Sequence, residues 1–144
     1  MTRRRRPTPW EHSTLGAHLY RIGAYDLAVS ELRKAARLLP DRPTAYYNLA
    51  CAYAACRREE EAIAVLRQAI SLDAGHTKAH LPLGQLLTAR GEHSAARMEF
   101  EAVLALQPVG PDAEHARHEL TRFEASPTQQ PEGGSGNLPS FLTW

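Results

Sequence analysis

The segment Ala45-Tyr46-Tyr47-Asn48-Leu49-Ala50-Cys51-Ala52-Tyr53-Ala54 contains no charged residue and mixes small with aromatic side chains. At helical spacing Leu49, Ala50 and Tyr53 share one face, while Tyr47, Cys51 and Ala54, with Asn48 at the edge, share another. The pattern recurs 34 residues away on either side: Leu49-Ala50 aligns with Leu15-Gly16 and Leu83-Gly84, Ala62 with Ala28 and Ala96, and Ala69 with Ala35 and Val103. Pro40, Ala74 and Pro108 keep the same step. A fixed period of this length marks stacked units, none of which buries its apolar face alone.

Outward from that segment, each period divides into two helices. The first pattern runs from Trp10 to about Ile22, with Trp10, Leu15, Leu19 and Ile22 as its apolar positions and Gly23 as its stop. A second runs from Tyr25 to Leu38, with Leu27, Ala28, Leu32, Ala35 and Leu38 on one side and Pro40 beyond it. The following units place helices near Thr44–Cys56 and Glu59–Leu72, then near Lys78–Arg90 and Ser94–Leu106. Gly16, Ala50 and Gly84 face Ala28, Ala62 and Ala96, so paired helices can approach closely. Leu32, Leu66 and Phe100 are expected to fill the space between successive units. Pro82 is expected to kink its helix, unless that helix starts late enough to hold it in the first turn. Pro111 to Glu124 reads as a last helix with Ala113, Ala116, Leu120 and Phe123 as its stripe, and Glu114, His115, Arg117, His118, Glu119 and Arg122 covering the rest.

These positions resemble the tetratricopeptide repeat: an apolar residue then Gly or Ala in the first helix, Ala early in the second, a large apolar residue four later, and Pro at the end. The resemblance covers residues 9–110 in three copies (9–42, 43–76 and 77–110), with the helix of 111–125 as a cap. It departs at His12, Tyr46 and His80, where the family often has Trp, at Arg57 in place of the Gly seen at Gly23 and Gly91, and at Ala74 in place of Pro. What it implies is an all-α, right-handed α-solenoid of about seven helices.

The 144 residues carry a net charge of +1, and without Arg3, Arg4, Arg5 and Arg6 the remainder carries −3. Basic character is thus confined to an arm, residues 1–8, expected to be solvated. With a net acidic folded part and no recognition motif, nucleic acid is not the expected partner. No apolar run suits a secretory signal or a membrane span, which makes the cytoplasm the expected location. Cys51 and Cys56 lie five apart in a helix, about 140° around its axis, and are expected to be free, partly buried thiols.

No phosphate loop, nucleophile motif or zinc-ligand set is present, so neither an enzyme nor a cofactor is expected. His115 and His118 on one face are too few for a metal site. The family resemblance implies instead a concave groove lined by the first helices: Trp10, Ser13, Ala17, Tyr20 and Arg21; Thr44, Tyr47, Cys51, Ala54 and Ala55, with Asn48 at the edge; and Lys78, Leu81, Gln85, Thr88 and Ala89. It also supplies a comparison with relatives that clamp acidic chaperone C-termini. Asn48 and Lys78 match that clamp, whereas Ser13, Ala17 and Pro82 do not, so the expected partner is a peptide or protein segment with apolar anchors. Two alternatives belong to the same fold: a small cytosolic chaperone for a bacterial secretion substrate, and a self-assembling scaffold. After residue 125 a Gln, Pro, Gly and Ser stretch reads as a linker, and Leu138, Phe141, Leu142 and Trp144 could dock in a groove of the same or another copy.

Overall fold

Thr8 starts the first helix by a reciprocal cap: its hydroxyl accepts from the Glu11 amide at 3.2 Å, and its own amide donates to Glu11 Oε1 at 2.7 Å. Pro9 at the first helical position fits there because its missing N–H would have no intrahelical acceptor. Arg5 adds a two-pronged ion pair to the same Glu11 carboxylate, at 2.8 and 2.6 Å. Residues 5–8, expected in a solvated arm, are thus tied to the helix they precede.

The computed structural model describes residues 5–125. Arg3 and Arg4, and the tail with Leu138, Phe141, Leu142 and Trp144, lie outside them. The described residues form seven α-helices and no strand: α1 (Pro9–Arg21), α2 (Tyr25–Leu38), α3 (Pro43–Ala55), α4 (Glu59–Leu72), α5 (Thr77–Ala89), α6 (His93–Leu106) and α7 (Pro111–Ala125). From Pro9 through Pro43 and Thr77 to Pro111, alternate helices begin 34 residues apart. The chain divides into two compact units, Met1–Ala79 and His80–Trp144, with the boundary inside α5.

In the first unit α1 packs on α2, α2 on α3 and α3 on α4. Its core consists of Ala28, Val29, Leu32, Ala35 and Ala36 from α2, Ala45, Tyr46, Leu49, Ala50, Ala52 and Tyr53 from α3, and Ala62, Ile63, Leu66 and Ala69 from α4. In the second unit Leu83 and Leu87 of α5 are buried, as are Ala96, Phe100 and Val103 of α6 and Ala113, Ala116 and Phe123 of α7. Phe123 sits 6.0 Å from Phe100 and 5.5 Å edge-on from His93.

Three turns close the helix pairs identically. The amides of Ala24, Arg58 and Glu92 donate to the carbonyls of Leu19, Tyr53 and Leu87, each at 2.9 Å, and those of Gly23, Arg57 and Gly91 donate to Tyr20, Ala54 and Thr88. This is the helix-ending motif that needs one left-handed residue. Gly23 and Gly91 supply it at φ +86° and +82°, and Arg57 is driven to +63° in the same place.

Several expectations need correcting. Of the apolar pattern of α1, Leu15 and Ile22 are exposed rather than inside, as is the expected groove residue Trp10, and Gly16 is the buried residue. Leu27 and Leu38 are likewise exposed, Val29 and Ala36 taking their place inside. Leu32 and Phe100, expected between successive units, also lie over the glycines of their own helix pair: a Cβ at Gly16 would stand 2.5 Å from Leu32 Cγ, and one at Gly84 2.7 Å from Phe100 Cε1. Glu119, expected on the solvated face of α7, is buried, held by Arg122 Nη1 at 2.9 and 3.1 Å. α5 starts at Thr77 and runs unbroken past Pro82, so that proline is not in the first turn.

Candidate functional site

Gly16 leaves room for Leu32 of α2 to reach the side of α1 that faces α3. There Leu32 becomes the floor of a cleft of about 220 Å³, walled by Ala17, Tyr20 and Arg21 of α1 and by Asn48 and Cys51 of α3. Ala17, Tyr20 and Arg21 stand three and four residues apart, and Asn48 and Cys51 three apart, so each helix turns one face to the opening. Ala17 is what keeps the cleft open, since a longer side chain there would project into it.

The walls are largely apolar. Burial pushes the Tyr20 hydroxyl above its ordinary pKa, with Cys51 and Tyr25 adding to the effect; the Tyr25 ring lies edge-on at 5.4 Å. Burial also raises the Cys51 thiol, against a hydrogen bond from Tyr47 that lowers it. A raised thiol stays protonated at neutral pH and is a poor nucleophile. The Asn48 amide and the Arg21 guanidinium, by contrast, make no hydrogen bond or ion pair with other described residues. An unengaged donor–acceptor pair and a cation therefore open onto an apolar hollow.

The other expected groove residues of the first unit are distributed around this cleft or away from it. Ser13 is half-buried, Thr44, Ala54 and Lys78 are exposed, and Ala55 is half-buried. Tyr47 is half-buried with its ring 5.9 Å from His76, and Trp10 is exposed with the Arg42 guanidinium 5.1 Å over its ring. In the second unit Leu81 is half-buried and Ala89 exposed. The Gln85 amide is within 3.1 Å of His115 Nε2 on α7, and the Thr88 hydroxyl donates to the Gly84 carbonyl at 2.8 Å.

Leu32, His76 and His115 were not among the expected groove residues. Leu32 could have been found from the glycine opposite it; nothing in the sequence marks the two histidines. Also unforeseen is a repeated His–Glu hydrogen bond: His12 Nδ1 meets Glu31 Oε1 at 2.7 Å, and His80 Nδ1 meets Glu99 Oε1 at the same distance. The equivalent positions of the middle period hold Tyr46 and Val65, and Tyr46 donates instead to the Pro40 carbonyl at 3.1 Å. Glu31 is held below the usual carboxylate range, chiefly by His12. A larger depression of about 410 Å³, lined by Arg5, Pro7, Glu11, His12, Leu15 and Glu31, has its charges already paired internally.

No group of three or more His, Cys, Asp or Glu side chains among the described residues could hold a metal ion, and no helix among them is long and apolar enough to cross a membrane. Both cysteines are free and half-buried.

Residues 43–76 match the tetratricopeptide repeat family model. A search of curated proteins finds no match. Among solved structures, the chain is similar to the tetratricopeptide domain of P58(IPK), with 28% identity and a TM-score of 0.78 over 83% of this chain and 33% of that one. It is similar to the second such domain of human RPAP3, solved in complex with the HSP70 peptide SGPTIEEVD, with 26% identity and a TM-score of 0.71 over 81% of this chain and 98% of that one. The first such domain of Spaghetti (RPAP3), bound to the HSP90 peptide SRMEEVD, shares the fold at 24% identity and a TM-score of 0.76, over 83% of this chain and 93% of that one. The middle period thus matches the tetratricopeptide repeat by sequence, and the chain shares the all-α fold of tetratricopeptide domains.

Proposed function

We propose that the chain is a non-catalytic adaptor that captures a peptide segment of another protein, with one apolar side chain of that segment seated in the cleft between α1 and α3. The observation that carries this reading is the cleft itself: five of its six lining residues, Ala17, Tyr20, Arg21, Asn48 and Cys51, belong to the expected groove. At about 220 Å³ it is smaller than the ~300–1,000 Å³ of small-molecule sites, which suits a single anchoring side chain. Tyr20 and Leu32 contribute apolar contact, the Asn48 amide can pair with a peptide bond, and Arg21 favours a carboxylate near the anchor. Similar domains are solved with acidic chaperone peptides, which supports peptide capture as the mode. Ser13, Ala17 and Pro82 offer no cation or amide to a terminal carboxylate, so the anchor side chain rather than the chain end carries the affinity.

The test is a fluorescence-polarisation titration of SRMEEVD and SGPTIEEVD alongside a library of internal peptides pairing Leu, Ile, Met or Phe with a neighbouring acidic residue. Internal peptides are expected to bind at least tenfold tighter than the two chaperone peptides, and Ala17→Trp, which fills the cleft, is expected to remove that binding without changing the melting temperature. Preference for the chaperone peptides, or unchanged binding by Ala17→Trp, refutes the assignment.

A further inference from the structure

Two turns before Ala17, on the same face of α1 and at the end away from Arg21, Trp10 stands 56% exposed. The guanidinium of Arg42, the residue that precedes α3, lies 5.1 Å over its ring. Asp41 is next to Arg42 in the chain and exposed, yet the guanidinium turns to the indole instead. It makes no hydrogen bond or ion pair with any described residue. The ring face therefore holds a planar cation in place while its N–H donors stay free for a ligand. An arginine already held in this way loses less freedom on binding than one that sweeps through solvent. Glu11, the carboxylate on the first turn of α1 beside Trp10, is occupied by Arg5.

We propose that Arg42, held on Trp10, is a second subsite for the partner peptide, one that takes an aspartate or glutamate side chain. The proposal rests on peptide capture in the cleft and adds a spacing to it. From Ala17 back to Trp10 the rise at ~1.5 Å per residue is about 10 Å along α1. An extended segment advances ~3.3 Å per residue, so a carboxylate that reaches Arg42 is about three residues from the apolar side chain in the cleft. Arg21 lies beyond Ala17 in the other direction and accounts for a carboxylate on the opposite side of that anchor. The partner segment is thus an apolar residue with one acid close by and a second about three residues away on its other side. A carboxylate can meet the fork of Arg42 with two parallel hydrogen bonds, which adds geometric selection to the charge.

Fluorescence polarisation on the full chain tests it, with peptides in both chain directions that keep one Leu anchor and one adjacent Glu. A single Asp is moved residue by residue along the far side, and Asn replaces it in the reference peptide. Asp about three residues from the anchor is expected to tighten binding about fivefold over Asn at low salt, the upper range for an exposed ion pair, and the gain should fade at high salt. Arg42→Gln is expected to abolish the gain without changing the affinity of the Asn peptide, and Trp10→Ala to reduce the gain by half or more, with the fold intact by circular dichroism. A gain equal at every spacing, or one that survives either substitution, overturns the proposal. So does a larger gain from Leu than from Asp at that position, which would make Trp10 an apolar subsite. An Asn peptide that does not bind removes the cleft assignment and this subsite with it. If that peptide binds and is lost on Ala17→Trp, but no spacing is preferred, the subsite alone fails.

Discussion

Placing a methyl group on Gly84 tests how the second unit is packed. A Cβ there would lie 2.7, 2.9 and 3.0 Å from three atoms of the Phe100 ring, which would have to retreat by several tenths of an ångström to reach ordinary contact. Phe100 is completely buried with Phe123 beside it, so overpacking of about 1–3 kcal/mol is expected, offset by up to ~1 kcal/mol from replacing a helical glycine by alanine. The net is a loss of about 1–2 kcal/mol, or roughly 3–6 °C in melting temperature for a chain of this length. The middle period contains the remedy, since Ala50 and Leu66 occupy the same two positions at 2% and 1% exposure. Phe100→Leu alone is expected to cost ~1 kcal/mol by leaving a void. In the Gly84→Ala background it should cost little, giving a favourable coupling of about 1 kcal/mol. Urea denaturation of the two single variants and the double supplies the cycle; additivity within ~0.3 kcal/mol would show that Gly84 is not there to admit the ring.

Arg57→Gly relieves a left-handed backbone that disfavours a side chain by roughly 1–2 kcal/mol, partly offset by the greater freedom of glycine in the unfolded chain, so a melting temperature higher by a few degrees is expected in a thermal scan. The Glu11 carboxyl is lowered from 4.5 to about 2, first by the hydrogen bond from Arg5 and next by the Thr8 amide. Because the folded value is the lower one, its contribution is present above pH 4.5 and is lost as pH falls toward 2. Glu11→Gln should flatten the pH dependence of the melting temperature in that window, and Arg5→Ala should move the carboxyl upward in an NMR titration. His80→Tyr alone strips Glu99 of a partner at 2.7 Å and is expected to destabilise by about 1 kcal/mol, whereas His80→Tyr with Glu99→Val, copying Tyr46 and Val65, should be nearly neutral by chemical denaturation.

Helix existence and period were legible because small residues recur where helices touch: Gly16, Ala50 and Gly84 against Ala28, Ala62 and Ala96. The second helices Tyr25–Leu38 and Glu59–Leu72 were placed to the residue, since Gly23, Pro40 and the acidic Glu59-Glu60-Glu61 punctuate them. The first helices begin one residue earlier than their apolar pattern, since Pro9, Pro43 and Thr77 enter the helix without belonging to its stripe. Which apolar residues would be inside was less legible. Leu15 and Ile22 satisfy helical spacing as well as any core residue does, yet no helix among the described residues packs over them. The cleft was partly readable, because its walls come from repeat positions. Its floor was readable only by pairing Gly16 with Leu32 across two helices, because Leu32 reaches it through the gap that Gly16 leaves. Glu119 and the His12–Glu31 and His80–Glu99 pairs escaped for a similar reason: burial of a charged side chain depends on a partner that no pattern of single residues names.

The identical closures at Gly23, Arg57 and Gly91 bear on how this chain can change. Each turn is closed by a main-chain bond, from Ala24 to Leu19, Arg58 to Tyr53 and Glu92 to Leu87. Apart from the left-handed residue, its side chains can therefore vary more than its length can. A residue inserted at any of the three would open a ring fixed at six residues and swing the second helix off the small residues of the first, so these turns should tolerate substitution outside the left-handed position better than insertion, the opposite of what surface loops usually allow.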